Sequence, residues 1–545
     1  MKLKYISVAT VASILLVLFL PVFLNVIFIG NNMNYNEKHK IVTLYNNVIL
    51  LMFAVVGVGI LFALFYLLRK IPFNRYTLTG VIIFSLFVCV LFYIINIKIS
   101  KCIAFYGGWD CGMVANSARW VYEGGELGYD DYYLIYVNNV PITWILYQLY
   151  SISSELPNYP YNPEFIWIEF QCFMLTAAVF FSAMTVLIIS KKVALTGMVV
   201  LINAMFLGLS PWKVIPYTDA STIAIPVFII FLYTLFLHIK SRIRYILWLL
   251  MIIAGVLGGI LKATCYVPLI AILLIELMWT LFGRVSIFQK IKKLIYRIVL
   301  FLCGFLFASY CKIGMYQSLD YEYNYDMAIT WTTYLYDGLN ELTTGSISGD
   351  GLVIVRAYAE HPRYIRDMVE RKYIKDRLSE KGFTGLMDFW LRKQVMNYND
   401  GTFSWFQEGF FNVLAYEDII DSSWEEPLKD FYWNDGENFI VFNTLSQGIW
   451  IFVLLGVIVE TIQILINAIL CVKNRSDDTE NDSTDICIRT VGIVTFIGIF
   501  LFVMLFEGRA RYLFNSIAVF STMAVVGYYN LANKLLCHKR VKKKD

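Results

Sequence analysis

Charge is scarce in this chain: only 16% of its 545 residues are Asp, Glu, Lys or Arg, against 59% hydrophobic and 17% aromatic. That balance excludes a soluble multidomain protein. The ten cysteines are scattered, several of them inside apolar runs, and none has metal-ligand spacing. Cys102 and Cys111 fall on one side and are read either as a pair or as free apolar thiols. No internal repeat is evident, which weakens an inverted-repeat transporter reading. The first apolar run follows Lys2 and Lys4 as a signal peptide would, but no small-x-small cleavage site follows it, so it is read as a retained anchor.

What is abundant is apolar length. Runs of the roughly 20 residues needed to span a bilayer recur along most of the chain. They lie at about 5–30, 46–68, 78–99, 165–189, 193–210, 219–238, 245–261, 264–282, 296–313, 446–472, 488–506 and 511–533. The expectation is an all-α polytopic membrane protein with about twelve transmembrane helices. Basic residues follow every even-numbered span: Arg69, Lys70 and Arg75, then Lys191 and Lys192, and so on to the C-terminal "HKRVKKK". Cytoplasmic loops are enriched in Lys and Arg, so a multi-pass protein of the cell membrane with both termini cytoplasmic is expected.

Two segments on the outer side are long enough to fold, 100–164 and the acidic 314–445. The chain divides on this reading into two N-terminal helices (1–76), a transmembrane module (77–315) with outer loop 100–164, an extracytoplasmic domain (316–445), and C-terminal helices with a basic tail (446–545). Within the third part, "HPRYIRDMVERKYIKDRLSEKG" predicts an amphipathic helix with Tyr364, Met368, Tyr373 and Leu378 as its apolar stripe and Gly382 as its stop. "GTFSW" and "NDGENF" mark loops. The tract "RSDDTENDSTD" (475–485) reads as a hydrophilic cytoplasmic loop.

A basic residue at an outer span end runs against the positive-inside bias. Lys213, Lys262, Arg509 and Arg511 do so and make a candidate anion site. Lys262 in "GGILKATCYVP" either snorkels or finds an anion. In "FEGRARYLF", a Glu507–Arg511 pair four residues apart is one reading, leaving Arg509 to bind a ligand; convergence of both arginines on phosphate is the other. Asp219 in "PWKVIPYTDAS" either caps its helix or orients a hydroxyl.

The stretch "FYGGWDCGMVANSARWVYEGGE" predicts a short helix at the membrane surface after Asp110, with Val114, Ala118, Val121 and Tyr122 on one face, an Arg119/Glu123 pair, and Gly124 at its end. Asp110 is placed to cap it, and capping is compatible with acting as a base. A second short helix is expected from Pro141 to about Tyr150. Trp109, Tyr133 and Tyr136 suit sugar faces or an interfacial aromatic belt.

Together "GWDCGMVANSARWVYEGG", "YYLIYVNNVP", "YTDAS", "ILKATCYVP" and "FEGRARYLF" resemble the GT-C glycosyltransferases, closest to the protein-mannosyltransferase-like and aminoarabinose-transferase-like members of Gram-positive type. The resemblance implies a GT-C-like fold with membrane-surface helices in the first large outer loop and a small, mainly helical extracytoplasmic domain. By it Asp110 is the catalytic base, Lys262, Arg509 and Arg511 bind a lipid phosphate, and Trp109, Tyr133, Tyr136, Asn138, Asp219 and Glu507 bind or orient substrate. Cys111 follows Asp110 where protein mannosyltransferases carry an Asp-Glu pair, which argues against protein O-glycosylation. Asp130 and Asp131 read as a surface pair rather than a metal motif. The expected activity is transfer of a sugar from a polyprenyl-phosphate donor to a cell-wall glycopolymer, such as teichoic acid, or to a lipid or protein on the outer face. No metal, cofactor or nucleic-acid partner is expected. The alternatives are a lipid-linked oligosaccharide flippase or transporter, which would need polar residues deep in spans that read as mostly clean, and a polysaccharide polymerase or ligase.

Overall fold

The computed structural model describes residues 2–30, 41–128, 131–156, 165–283, 286–346, 348–405, 414–415, 423–474 and 480–541. Three helices open the chain, α1 (Lys2–Phe28), α2 (Asn47–Leu68) and α3 (Arg75–Ile103). Three short ones follow, α4 (Trp109–Tyr122), α5 (Tyr132–Ile135) and α6 (Val140–Glu155). Next come α7 (Phe165–Ser190), α8 (Val193–Leu209), α9 (Thr218–Ser221), α10 (Ala224–His238), α11 (Ile243–Leu261), α12 (Tyr266–Leu281) and α13 (Ile287–Gln317). After these lie α14 (Trp331–Gly338), α15 (Asp350–Ala357), α16 (Arg363–Tyr398) and α17 (Glu425–Tyr432), and last α18 (Phe439–Asn474), α19 (Glu480–Leu505) and α20 (Ile517–Val541). The chain is therefore an all-α polytopic membrane protein. The strand pairing among the described residues is a two-residue antiparallel ladder, Phe105–Tyr106 with Leu414–Ala415.

Eleven stretches among the described residues are long and apolar enough to cross a bilayer. The twelfth run, expected at 193–210, is the 17-residue α8. At a rise of about 1.5 Å per residue it reaches only about 26 Å, short of a hydrocarbon core of about 30 Å. The 3₁₀ turn Pro211–Val214 continues it. Lys4 near the start of α1 lies over the Trp279 ring near the end of α12, and Lys534 near the end of α20 donates to Asn467 near the end of α18, whereas Asp110 and Asn139 of the α4–α6 segment meet Tyr217 at the start of α9.

The centre of the bundle is α18 packed on α1 and α20. Val8, Ala12, Leu15, Phe19, Val22 and Val26 recur every three or four residues and form the buried stripe of α1. Lipid supplies no hydrophobic drive between apolar helices, so close packing has to come from shape. At the α18–α20 contact that shape is set by glycine: a Cβ on Gly456 would lie 2.3 Å from the Ala524 Cβ, and one on Gly527 2.8 Å from the Glu460 backbone nitrogen.

The helix expected after His361 forms as the first part of α16, but with its faces reversed. Tyr364, Met368, Tyr373 and Leu378 are exposed, whereas Arg366, Glu370 and Ile374 are buried. Arg366 donates to the carbonyls of Asp326 and Ala328 at 2.8 and 2.7 Å. Glu370 accepts from the hydroxyls of Thr332 and, at 2.7 Å, Thr333. Buried polar groups are tolerated when partnered in this way, and those partners come from elsewhere in the chain. Gly382, at φ +58°, breaks the helix as expected, but helix resumes beyond it to Tyr398.

The end of α16 runs into the bundle, and "GTFSW" is a buried loop. Trp212 Nε1 donates to the carbonyls of Thr402 and Phe403, each at 3.1 Å, and Trp450 Nε1 to that of Tyr398 at 2.9 Å. The Asp400 carboxylate takes the Thr402 amide at 2.8 Å and also the Ser404 amide. Irregular backbone survives at such depth only when protein supplies its hydrogen bonds. Of the hydrophilic tract 475–485, residues 475–479 lie outside the described residues, and α19 already begins at Glu480.

Candidate active site

The expected surface helices are α4 and α6, which pack on each other. Arg119 Nε meets Glu123 Oε1 at 3.0 Å, and Gly124 at φ +92° ends the helix, both as the sequence predicts. The turn into α4 is tight: a Cβ on Gly112 would lie 2.2 Å from the Gly107 carbonyl oxygen. Cys102 and Cys111 are both buried and each keeps its thiol.

Asp110 does not cap α4. The N-cap is Gly108, and Asp110 sits in the first turn, where a carboxylate still gains from the helix dipole. Its side chain instead meets two tyrosines from other elements. Tyr132 OH donates to Oδ1 at 2.9 Å, and Tyr217 OH lies 3.5 Å from Oδ2. Asn139 ties these together, donating to the Tyr132 oxygen at 2.6 Å and accepting from Tyr217 OH at 2.9 Å. Asn138 donates to Asn139 at 2.9 Å. Burial, and then the Asp110 charge, push the Tyr132 and Tyr217 hydroxyls up, so both remain protonated donors. Tyr136 lies against Tyr132, ring centroids 5.0 Å apart, and is pushed up to about 12, first by burial and then by the charges of Asp110 and Glu507.

Tyr133, expected to face substrate, does not. It is buried against Val140 and Leu319, its hydroxyl 2.9 Å from Thr143 Oγ1. Its neighbour Tyr132 points the other way, toward Asp110.

Three of the four basic residues, Lys262, Arg509 and Arg511, lie beside this network and each meets a carboxylate. Asp219 is also not an N-cap: it sits two residues past the cap Tyr217 and pairs through Oδ1 with the Lys262 ammonium. Its Oδ2 lies 3.8 Å from Arg511 Nε. Lys262 is held there because α11 ends in extended backbone at this residue. The expected Glu507–Arg511 pair is replaced by Glu507–Arg509 at 3.3 Å, and Tyr512 OH donates to Glu507 at 2.9 Å. The four-residue pairing rule needs an α-helix. Here α19 stops at Leu505, and Arg509 is extended ahead of the 3₁₀ turn Ala510–Ser516.

Arg511 joins the two halves of the site. Its guanidinium carbon lies 4.5 Å from the Trp109 ring centroid and 5.5 Å from that of Tyr217. Trp109 in turn meets Tyr217 edge-on at 5.1 Å. Lys213, grouped with these cations by sequence, is elsewhere: it donates to Asn96 Oδ1 at 2.5 Å and to the Gly208 carbonyl at 2.7 Å.

Sequence reasoning missed Tyr132, Asn139, Tyr217 and Tyr512. All four lie within the quoted motifs, one to three residues from residues singled out there. Among the described residues no three His, Cys, Asp or Glu side chains gather as a metal would require. Asp131 is exposed ahead of α5, and Asp130 lies outside the described residues.

No curated protein and no solved structure matches this chain. A family model matches residues 4–530, almost its whole length. The chain belongs to the family described as conserved hypothetical integral membrane proteins.

Proposed function

We propose that this protein is an inverting glycosyltransferase that takes a sugar from a polyprenyl-phosphate carrier and delivers it to a glycopolymer, lipid or protein on the outer face of the membrane. The observation that carries the reading is one continuous site: Asp110, held by tyrosine hydroxyls, beside Arg511 and the Lys262–Asp219 pair, all on one face of the bundle. Both termini then lie on the cytoplasmic side.

In this reading Asp110 is the general base. Each carboxylate oxygen has a second lone pair, so a hydroxyl of the acceptor is accommodated alongside Tyr132 and Tyr217. The acceptor proton passes to Asp110 as the acceptor oxygen attacks the anomeric carbon. The bond from that carbon to the phosphate oxygen breaks, and the carrier leaves with one more negative charge than it brought. Arg511, with Lys262 and Arg509, lies where that charge develops, in surroundings poor in water, and such preorganised charge counts for most there. Asp219 and Glu507 hold the three cations in place before the lipid arrives. Trp109 and Tyr136 offer ring faces to the sugar.

Purified protein should transfer labelled sugar from a polyprenyl-monophosphate donor and not from a diphosphate-linked one. Transfer from the diphosphate donor alone would make the protein a polymerase or ligase instead.

One observation favours transport as a second reading. The spans are not as clean as their sequences look: Glu276–Arg297 and Glu460–Arg489 are buried ion pairs within them. Scrambling of lipid-linked sugars in vesicles, with no transfer product, would establish that reading.

A further inference from the structure

We infer that the face of the bundle opposite Asp110 carries a binding site for a phosphate anion, with the headgroup of an anionic phospholipid as its occupant. The inference is independent of the proposed transfer activity. At that face α12 ends and α1, α11 and α13 begin, with Arg297 and Lys293 on the Glu276 carboxylate and Arg244 and Lys4 on neighbouring rings. Glu276 is buried and accepts from Tyr233 OH at 2.8 Å. Arg297 pairs with it directly, and Lys293 Nζ is 4.0 Å from Oε2. Arg244 joins them at the Phe236 ring, where its guanidinium carbon lies 4.6 Å from the centroid and that of Arg297 5.9 Å. Among the described residues Glu276 is the one acid paired with this group, so its four cations face a single carboxylate there.

Those charges are partly withdrawn from water. The Arg244 guanidinium carbon lies 4.6 Å over the Phe236 ring, Arg297 5.2 Å over Trp248, and Lys4 5.5 Å over Trp279. Ring faces stabilise cations but do not neutralise them. The group opens toward the lipid side, where Ile287, Phe288 and Ile291 in the first turns of α13 are exposed. A phosphate at headgroup depth would meet the ammonium of Lys293 and the fork of Arg244 while its acyl chains lie along these residues. Elsewhere in the bundle the corresponding buried pair is complete: Arg489 is satisfied by Glu460 and Asp485 together.

The test is native mass spectrometry of the purified full chain titrated with dioleoyl phosphatidylglycerol, with dioleoyl phosphatidylcholine as the neutral comparison. The double variant Arg244→Gln/Lys293→Gln leaves the Glu276–Arg297 pair intact. It should bind phosphatidylglycerol about 25-fold more weakly, at about fivefold for each cation near the surface, with phosphatidylcholine unchanged. Lys191→Gln/Lys192→Gln, on the same face, should bind as wild type. Lys4→Gln serves if the double variant fails to fold. Displacement of phosphatidylglycerol by millimolar inorganic phosphate would support the site with free phosphate as a second source. Equal phosphatidylglycerol binding by wild type and the Arg244/Lys293 variant, or an equal loss in Lys191→Gln/Lys192→Gln, would overturn the inference.

Discussion

Asp219 serves two cations at once, and removing it should cost more than removing either of them. Its side chain is 2% exposed, and those of Lys262 and Arg511 are 9% and 7% exposed. Asp219→Ala leaves both cations without that carboxylate in a site where water cannot replace it. Breaking a buried ion pair by deleting one partner typically costs about 3–5 kcal/mol. Lys262→Met removes one cation but leaves Asp219 beside Arg511 at 3.8 Å. Its cost should be nearer the about 1.5–3 kcal/mol of one hydrogen bond to a charged group. The double variant should be less damaged than the sum of the singles by at least about 1 kcal/mol, because the methionine takes away one of the cations that Asp219 serves. The assay is the detergent-denaturation midpoint of the purified protein, read by circular dichroism for all three variants. Were Lys262→Met as costly as Asp219→Ala, or the two effects simply additive, the shared-carboxylate account would be wrong.

Tyr132→Phe should lower transfer about 10- to 100-fold, the worth of one hydrogen bond to a charged group, while Tyr133→Phe leaves the rate unchanged; initial rates with the monophosphate donor decide it. Burial pushes Asp337 up to about 6, so its folded form binds a proton more readily than its unfolded form between about pH 4 and 6. Its contribution to stability is therefore present at pH 4 and lost as pH rises to 6, and midpoints measured across that window should flatten in Asp337→Asn. Gly456→Val places side-chain atoms where the Ala524 Cβ already sits, and should reduce the folded fraction seen by size-exclusion chromatography, whereas Gly59→Val, where a Cβ meets nothing, should not.

The spans were legible because bilayer length demands long apolar runs, and the chain has them; the caps that start α2 and α3, Asn46 and Asn74, are local as well. So was α4, whose Arg119–Glu123 pair and Gly124 stop depend on neighbours four residues apart or fewer. What was not legible depends on distant chain. The stripe of α16 was inverted because Arg366 looks like surface until the carbonyls of Asp326 and Ala328 are brought to it. Tyr132, not Tyr133, faces the site, and a four-residue helix gives no periodicity from which to tell their directions. The buried pairs Glu276–Arg297 and Glu460–Arg489 were invisible because each glutamate is a single charge in a long apolar run and its arginine lies on another helix, at the edge of a charged stretch. For the site, Asp110, Asp219, Lys262, Glu507, Arg509 and Arg511 were singled out by motif and topology, but their pairing was not: Glu507 was matched to Arg511 by helical spacing in a stretch that is not α-helical.

The claim on which the account rests is that Asp110 removes the acceptor proton. It is tested by transfer of radiolabelled sugar from undecaprenyl-phosphate donors to cell-wall polymer, comparing purified wild type with Asp110→Asn, which keeps the acceptor oxygen for Tyr132 but has no charge with which to take a proton. The account predicts a folded variant with wild-type donor binding and transfer reduced by a factor of about 100 or more, the scale of a positioned general base. Transfer by Asp110→Asn at the wild-type rate would contradict it.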